Sequence, residues 1–210
     1  GYYNQIEFRN ATNVASNNVG IRAGDSWNTN SSAYTLNTLY TCIVEWKPAN
    51  KSITSTIKNG DTVVVTGTRT NDSYGTVNKY TRSFAFRCED GTAILDNILF
   101  TDGTTRYYQT FDPAEDQSTA FYNYSGAFER EYKADIADDY GYVETNKPSV
   151  VNNALSFVKG DGLRFNWQKL PGFAPFDANK TYTFSFDVKV TDLGNNAHLP
   201  GLTGSDREFY

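Results

Sequence analysis

Ala93-Ile-Leu-Asp-Asn-Ile-Leu-Phe100 has the pattern of the last strand of a β domain, and yet it lies in the middle of a 210-residue chain. The residues after it, Thr101-Asp-Gly-Thr-Thr105, predict a turn, since Asp and Gly favour turn conformations of the backbone. Tyr107-Tyr-Gln-Thr-Phe-Asp112 then has the pattern of a first strand. The centre of the chain therefore predicts a junction between the end and the beginning of one domain.

The two halves of the chain complement each other when their order is exchanged. The start, Gly1–Phe8, and the end, Arg207–Tyr210, both have the pattern of strand interior. Residues 106–210 followed by residues 1–105 read as one continuous β domain, and the halves differ too much to be a duplication. We therefore expect a single β-sandwich over residues 1–210, which is a circular permutant, a repeat unit or a fold completed by neighbouring copies.

The clearest strand is Thr181–Val190, in which aromatic and aliphatic residues alternate with polar ones. A period of two places Phe184 and Phe186 on a buried face and Asp187 and Lys189 on the opposite, wet face. Short strands of this kind, separated by turns that contain Asn, Asp and Gly, recur along the whole length. The pattern predicts an all-β fold, an antiparallel β-sandwich with jelly-roll topology.

Composition narrows the classes of partner. The formal net charge is −5 and the sequence contains no cluster of Lys or Arg, so we expect no binding to nucleic acid. No apolar run approaches the ~20 residues of a membrane-spanning helix, so we expect no membrane insertion. The sequence contains no Met, which leads us to expect a processed or excised segment.

The two cysteines, Cys42 and Cys88, both lie in predicted strands. In a chain with the composition of an extracellular protein they predict one disulfide bond. The alternative is two separate buried thiols that act as small apolar residues. With two Cys and one His, the chain lacks the ligands of a Cys/His zinc site.

Four segments, taken with 106–210 before 1–105, resemble the strands of laminin-G-like and concanavalin-A-like jelly-roll domains. They are Asn153–Phe157, Lys180–Lys189, the hairpin Tyr40–Gly60 and Gly91–Ile98. The aromatic strand and the closing strand also resemble carbohydrate-binding modules with a galactose-binding-like jelly roll, and the sequence does not separate these families. The rotated order of the segments departs from the family pattern.

The resemblance implies a non-catalytic module, extracellular or at the cell surface, that binds glycans or other surface ligands as part of a repetitive adhesin or surface protein. The alternative is a structural subunit of an extracellular filament or array, in which strands or edges complete the sheets of neighbours. The expected partners are therefore a glycan or further copies of this chain.

No arrangement of residues predicts catalysis, and we expect that the protein is not an enzyme. The single histidine, His198, lies in a predicted loop, and the Gly-x-Ser-x-Gly motif of α/β-hydrolases is absent. Carboxylate pairs occur at Glu129 and Glu131 and at Asp138 and Asp139. Glycosidases need two carboxyl groups across a cleft, which closeness in sequence does not provide. We interpret these pairs as surface charge.

Glycan binding requires flat aromatic rings beside planar hydrogen-bonding groups, and the polar and acidic stretches of the chain offer candidates. Trp27 lies in a predicted polar loop, and Trp167 lies between two amide side chains. The alternative is that these aromatic residues cover a sheet face or form a contact between subunits. The candidate ligand-binding residues are Trp27, Trp167, Asn166, Gln168, Tyr122 and Tyr124.

Calcium is the metal that the sequence favours. The resemblance implies such an ion, because jelly-roll binding modules often join their first and last strands through Ca²⁺. The candidate ligands are Asp96 in the predicted last strand and Asp112, Glu115 and Asp116 after the predicted first strand. Oxygen ligands of this kind suit Ca²⁺. The alternative is that Asp96 accepts a hydrogen bond from a turn and that the other carboxylates are solvated.

Overall fold

The structure, a computed structural model, describes residues 4–10, 17–23, 26–78, 81, 84–88, 91–112, 128–130, 148–165, 167–170, 172–173, 175–192 and 202–203. Within these residues the chain forms fifteen β-strands, three short 3-10 helices and no α-helix. No helix in this part of the chain is long and apolar enough to cross a membrane. The predicted all-β fold class is confirmed.

The strands are β1 (Asn4–Asn10), β2 (Asn17–Ala23), β3 (Ser26–Ala33), β4 (Leu39–Lys47), β5 (Ser52–Asn59), β6 (Thr62–Thr70), β7 (Phe84–Arg87), β8 (Thr92–Thr101), β9 (Arg106–Gln109), β10 (Phe128–Arg130), β11 (Ser149–Val151), β12 (Ala154–Val158), β13 (Gly162–Phe165), β14 (Tyr182–Asp192) and β15 (Leu202–Thr203). They form two antiparallel sheets. The larger sheet has the order β11-β12-β8-β14-β4-β5-β6, and β9 pairs with β8 beside this path. The smaller sheet has the order β10-β13-β7-β15-β1-β2-β3.

The larger sheet has one buried face, because its residues alternate as the sequence of β14 predicts. From Tyr182 to Val190 the side chains are alternately buried and half-buried. Phe184 and Phe186 are 0% and 4% exposed, which confirms the prediction that they belong to the core. β4 alternates in the same way. The opposite side of this sheet is called the outer face below.

The two sheets pack face to face, which makes the fold a β-sandwich. Phe86 of β7 in the smaller sheet contacts Phe157, Phe184 and Phe186 of the larger sheet, with ring centroids 5.1 to 6.2 Å apart. Aromatic rings bury large apolar areas and gain further from tilted or edge-to-face contacts. The core therefore rests on aromatic contacts between the sheets.

The stretch from Ala93 to Phe100 forms most of β8, in the middle of the larger sheet. β8 pairs with β14 along one edge, and along its other edge it pairs first with β12 and then with β9. The turn between β8 and β9 has Asp102 at its centre. The carboxylate of Asp102 accepts hydrogen bonds from the backbone N–H groups of Thr104 and Thr105 at 2.9 and 2.7 Å. The predicted strand and turn are therefore present, and β8 and β9, which the rotated order would place last and first, are neighbours.

A β-bulge interrupts β8. Ser185 and Asp187 of β14 stand opposite Leu99 and Asp96 of β8, so β8 contains one extra residue between them. Asn97 has a φ of +52° at this bulge, a conformation that Asn adopts more readily than most residues. The bulge explains why the alternation of β8 breaks at this point of the sequence.

The bulge also keeps both halves of β8 facing the core. Leu95 before it and Ile98 after it are each 0% exposed, although three positions separate them. In a regular strand, residues three apart lie on opposite faces. The two residues between them, Asp96 and Asn97, are half-buried and available to the outer face.

Candidate functional site on the outer face of the larger sheet

Trp167, predicted to form a sugar platform, is a core residue. Its side chain is 0% exposed, its ring stacks on Phe100 with centroids 5.6 Å apart, and its indole N–H donates to the carbonyl oxygen of Thr81 at 2.7 Å. The prediction for Trp167 is therefore wrong. The residues beside it are polar, but Trp167 lies in a 3-10 turn that directs its indole inwards. Gln168 in the same turn is exposed.

The other predicted ligand-binding residues do not form a described cluster. Trp27 lies in β3, at an edge of the smaller sheet, and not in the predicted loop. Asn166, Tyr122 and Tyr124 lie outside the described residues. The structure therefore does not bring the predicted glycan-binding residues together within its described part.

The predicted calcium ligands are described only in part. Asp96 accepts a hydrogen bond from the backbone N–H of Asn97 at 2.8 Å, and Asp112 is half-buried after β9. Glu115 and Asp116 lie outside the described residues. The residues that the structure describes contain no group of three or more His, Cys, Asp or Glu able to hold a metal ion. The calcium site stays a prediction.

Cys42 and Cys88 are separate thiols, so the predicted disulfide is not formed and the alternative of two buried thiols holds. Both side chains are 0% exposed. Cys42 faces the core from β4, where burial raises the pKa of its thiol, and Cys88 follows β7 and donates to the carbonyl oxygen of Gly91 at 3.5 Å. Each cysteine fills a small buried position, Cys42 within β4 and Cys88 just after β7.

The outer face presents a polar surface six strands wide. Its middle row is fixed by the pairing of β6, β5, β4, β14, β8 and β9, in which neighbouring residues stand directly opposite one another. From β6 to β9 this row contains Thr66, Thr56, Ile43, Ser185, Leu99 and Tyr108. With about 4.8 Å between strands, the row is about 24 Å long. It combines hydroxyl groups with apolar side chains and ends in an aromatic ring.

A hydrogen-bonded network crosses four strands and includes Tyr108 at the end of this row. The Tyr108 hydroxyl donates to the Asn97 side-chain oxygen at 3.0 Å, and the Asn97 amide nitrogen donates to Asp187 Oδ2 at 2.8 Å. The Thr41 hydroxyl donates to Asp187 Oδ1 at 2.6 Å. These residues come from β9, β8, β14 and β4, so sheet pairing positions each of them. We call them the Tyr108–Thr41 network.

The network depends on the bulge in β8. The extra residue lets Asn97 leave the regular alternation, and its amide then lies between Tyr108 on one side and Asp187 on the other. Because an amide offers both an acceptor and two donors, it joins a hydroxyl group to a carboxylate. The bulge thus creates a fixed polar centre on the outer face.

Arg106 and Tyr108 form one unit at the end of the middle row. The Arg106 guanidinium carbon lies 4.8 Å from the centre of the Tyr108 ring, which is within the range of a cation–π contact. Both side chains leave the same face of β9, since Tyr107 between them is buried in the core. The phenol hydroxyl is held by Asn97 and the ring by Arg106, so the orientation of Tyr108 is fixed from two sides.

The opposite end of the outer face is a ladder of threonines. The hydroxyl groups of Thr54 and Thr68 are 2.8 Å apart, and those of Thr56 and Thr66 are 3.0 Å apart. Cross-strand Thr pairs stabilise neighbouring strands. Their methyl groups and hydroxyl groups extend the polar surface to β6.

Sequence reasoning missed most of this site. It placed Asp187 on the wet face, but Thr41, Asn97 and Tyr108 were not singled out. The signal that could have found the bulge is Asp96-Asn97, two consecutive polar residues between the apolar segments Ala93–Leu95 and Ile98–Phe100. The register that brings the four strands together has no local sequence signal.

No model of a known protein family matches this chain, and no curated protein sequence matches it. The antiparallel β-sandwich agrees with the fold that the laminin-G-like resemblance implies. The family itself stays a prediction.

Proposed function

We propose that this chain is a non-catalytic, extracellular β-sandwich module of the jelly-roll type that binds glycans on the outer face of its larger sheet. The Tyr108–Thr41 network is the observation that carries the proposal. It places an oriented aromatic ring beside a planar amide and a carboxylate, all on one side of a rigid sheet. Sugars present both apolar C–H faces and hydroxyl groups, and this surface offers partners for both.

The network retains capacity for a ligand. The Asp187 carboxylate accepts one hydrogen bond on each oxygen, whereas a carboxylate has about four lone-pair positions. Ser185 stands next to Leu99 and Ile43 in the middle row and makes no side-chain hydrogen bond within the described residues. Sugar hydroxyl groups can therefore donate to Asp187 and exchange hydrogen bonds with Ser185 without breaking the existing network.

The position of the network on strands also favours binding. Sites on regular strands are held more precisely than sites on loops. The partners of Asp187 and Tyr108 fix both side chains before a ligand arrives, which reduces the conformational entropy lost on binding.

A glycan array, followed by titration calorimetry on the best ligand, tests the proposal. Tyr108→Ala should raise Kd about tenfold or more, since an aromatic residue that anchors a ligand typically contributes that much. Gln168→Ala is the matched control, because Gln168 is exposed and was a candidate from sequence alone. If Tyr108→Ala binds the ligand normally and Gln168→Ala loses binding, the ligand site lies in the loop around Trp167 and not on the outer face.

The second candidate function is a structural subunit of an extracellular filament, and β11 is the observation that favours it. This edge strand of the larger sheet is exposed at all three residues, with Val150 at 44% and Val151 at 50%. Adjacent residues of a strand point to opposite faces, so neither face of this edge is fully covered. Such an edge is a place for strand addition by another copy.

The mass of the chain in solution, measured with Ca²⁺ and with a chelator, separates the two candidates. A binding module is expected to stay monomeric across concentrations, and a structural subunit is expected to form open-ended oligomers. A change of stability or mass on chelation would support the calcium prediction, and no change would argue against it.

A further inference from the structure

The outer face differs in charge from the chain as a whole. The chain has a net charge of −5, whereas cationic and anionic residues are equal in number on the outer face. Register and alternation place Lys47, Lys58, Lys189 and Arg106 there as cations and Glu45, Asp96, Asp187 and Asp192 as carboxylates. A negatively charged ligand therefore meets no net negative charge among the described strand residues of this face.

Arg106 has unused hydrogen-bonding capacity. Its side chain is exposed, and within the described part of the chain it makes the contact with the Tyr108 ring but neither an ion pair nor a side-chain hydrogen bond. A guanidinium has five N–H donors in a planar fork, and stacking on a ring leaves these in-plane donors free. The Tyr108 ring thus holds a charged donor group in position without neutralising it.

Two further cations on this face are also without an acidic partner among the described residues. Lys58 of β5 and Lys189 of β14 make no ion pair there, whereas Lys47 lies 4.0 Å from Glu45. Arg106 and Lys58 are four strands apart, a separation of about 19 Å across the sheet. Unpaired cations are therefore spread across the face, and a ligand that meets them all must be extended.

We propose that the ligand is an anionic polysaccharide that lies across the strands, with one negative group on Arg106 and the adjoining sugar against Tyr108. This inference rests on the proposed glycan-binding function and adds the charge and the length of the ligand. The requirement is a fixed negative charge along a sugar chain, carried by uronate carboxylates or by sulfate esters. Arg suits both, because its fork donates two parallel hydrogen bonds to such a group.

The test uses the whole chain and three polymers: polygalacturonate, dextran sulfate and neutral dextran. We expect the two anionic polymers to bind and neutral dextran to bind at least about tenfold more weakly, since a charge-assisted hydrogen bond contributes on that order. Preference between the first two distinguishes carboxylate from sulfate. Affinity should fall as salt is raised, because exposed charges are screened. Longer polygalacturonate oligomers should bind more tightly until they span the face.

Variants of Arg106 locate the contact. Arg106→Gln should weaken binding of the anionic polymers about tenfold or more and remove much of the salt dependence, and Arg106→Lys should keep part of both because it keeps the charge. Lys159→Gln, an exposed cation in the turn after β12, is the control and should leave affinity unchanged. Thermal unfolding of each variant checks that the fold is retained.

The outcomes separate this inference from the proposed function. If Arg106→Gln is silent and neutral sugars bind as well as anionic ones, while Tyr108→Ala still weakens binding, the inference fails and glycan binding stands. If none of the polymers and no glycan on the array binds, both fail.

Discussion

Phe186 lies between the sheets, where its ring meets Phe86 edge-on with centroids 5.1 Å apart. Phe186→Ala should lower the free energy of unfolding by about 3–5 kcal/mol, because it removes a buried ring and leaves a cavity in a packed core. Urea denaturation measures this. Lys189→Ala, three positions along the same strand and on the outer face, is the control and should change stability by no more than about 0.5 kcal/mol. Equal effects of the two would overturn the face assignment of β14.

Asp102 makes the fold sensitive to acid. Burial pushes the pKa of Asp102 upwards, but hydrogen bonds from Lys180 and from the backbone N–H groups of Thr105 and Thr104 outweigh it and hold the pKa below its ordinary value. A lowered pKa in the folded state means that the unfolded chain binds more protons as the pH falls. The stabilisation is therefore complete above the ordinary Asp pKa of about 3.9 and is lost as the pH falls through the lower, folded value.

Lys180→Gln tests this dependence. The Lys180 ammonium lies 2.6 Å from Asp102 Oδ2, and without it burial should raise the pKa of Asp102, so that stability is lost at a higher pH than in the parent protein. The control is Lys51→Gln, which removes a pair of similar length, 2.7 Å to Asp72, whose side chains are 55% and 92% exposed. Exposed pairs contribute little to stability. Denaturation midpoints measured from neutral to acid pH should shift for Lys180→Gln and hardly at all for Lys51→Gln.

The extra residue in β8 serves the outer face and not the core. Deleting Asn97 would make Asp96 and Ile98 consecutive, so β8 would alternate regularly with Leu95, Ile98 and Phe100 still on the buried face. We therefore expect the deletion to retain cooperative unfolding in calorimetry, although it removes the amide that joins Tyr108 to Asp187. Asn97→Gly, which keeps the extra residue and tolerates the positive φ, is the matched control and should also stay folded. Loss of cooperative unfolding in the deletion alone would show that the core depends on the bulge.

Regular strands could be predicted from the sequence, whereas the site could not. The buried face of β14 follows directly from its sequence. In a sheet that is covered on one side, residues that alternate with a period of two lie on the buried face if they are apolar and on the outer face if they are polar. Trp167 was misassigned because its neighbours Asn166 and Gln168 are polar, and local polarity does not report where a large ring points. Thr41 and Asn97 meet Asp187 only through pairing between strands that are distant in sequence, and such pairing has no local pattern. The sequence left open whether Cys42 and Cys88 form a disulfide bond for the same reason.

The two halves of the chain are interleaved in the larger sheet. β14, from the second half, lies between β8 and β4 of the first half, and β8 in turn lies between β14 and β12. Neither half can complete this sheet alone, because each would leave a gap one strand wide.

Fragments test the interleaving. Residues 1–105 and 106–210, prepared separately, should each lack cooperative unfolding, and an equimolar mixture should regain the β-sheet circular dichroism of the whole chain. A matched control is a cut in the β5–β6 turn at Gly60, which leaves β8, β14 and β4 arranged as before. A fragment of 106–210 that folds alone would contradict the arrangement of the central strands.

The place of β14 also has a consequence during synthesis. β4 and β8 leave the ribosome long before Tyr182–Asp192, and at about 5–20 residues per second the 91 residues from the end of β8 to the end of β14 take about 5–18 s to make. For that time the nascent chain holds two central strands whose shared partner does not yet exist. During that time the edges of β4 and β8 that face β14 in the finished sheet are exposed, so we expect the nascent chain to aggregate more readily than the complete protein.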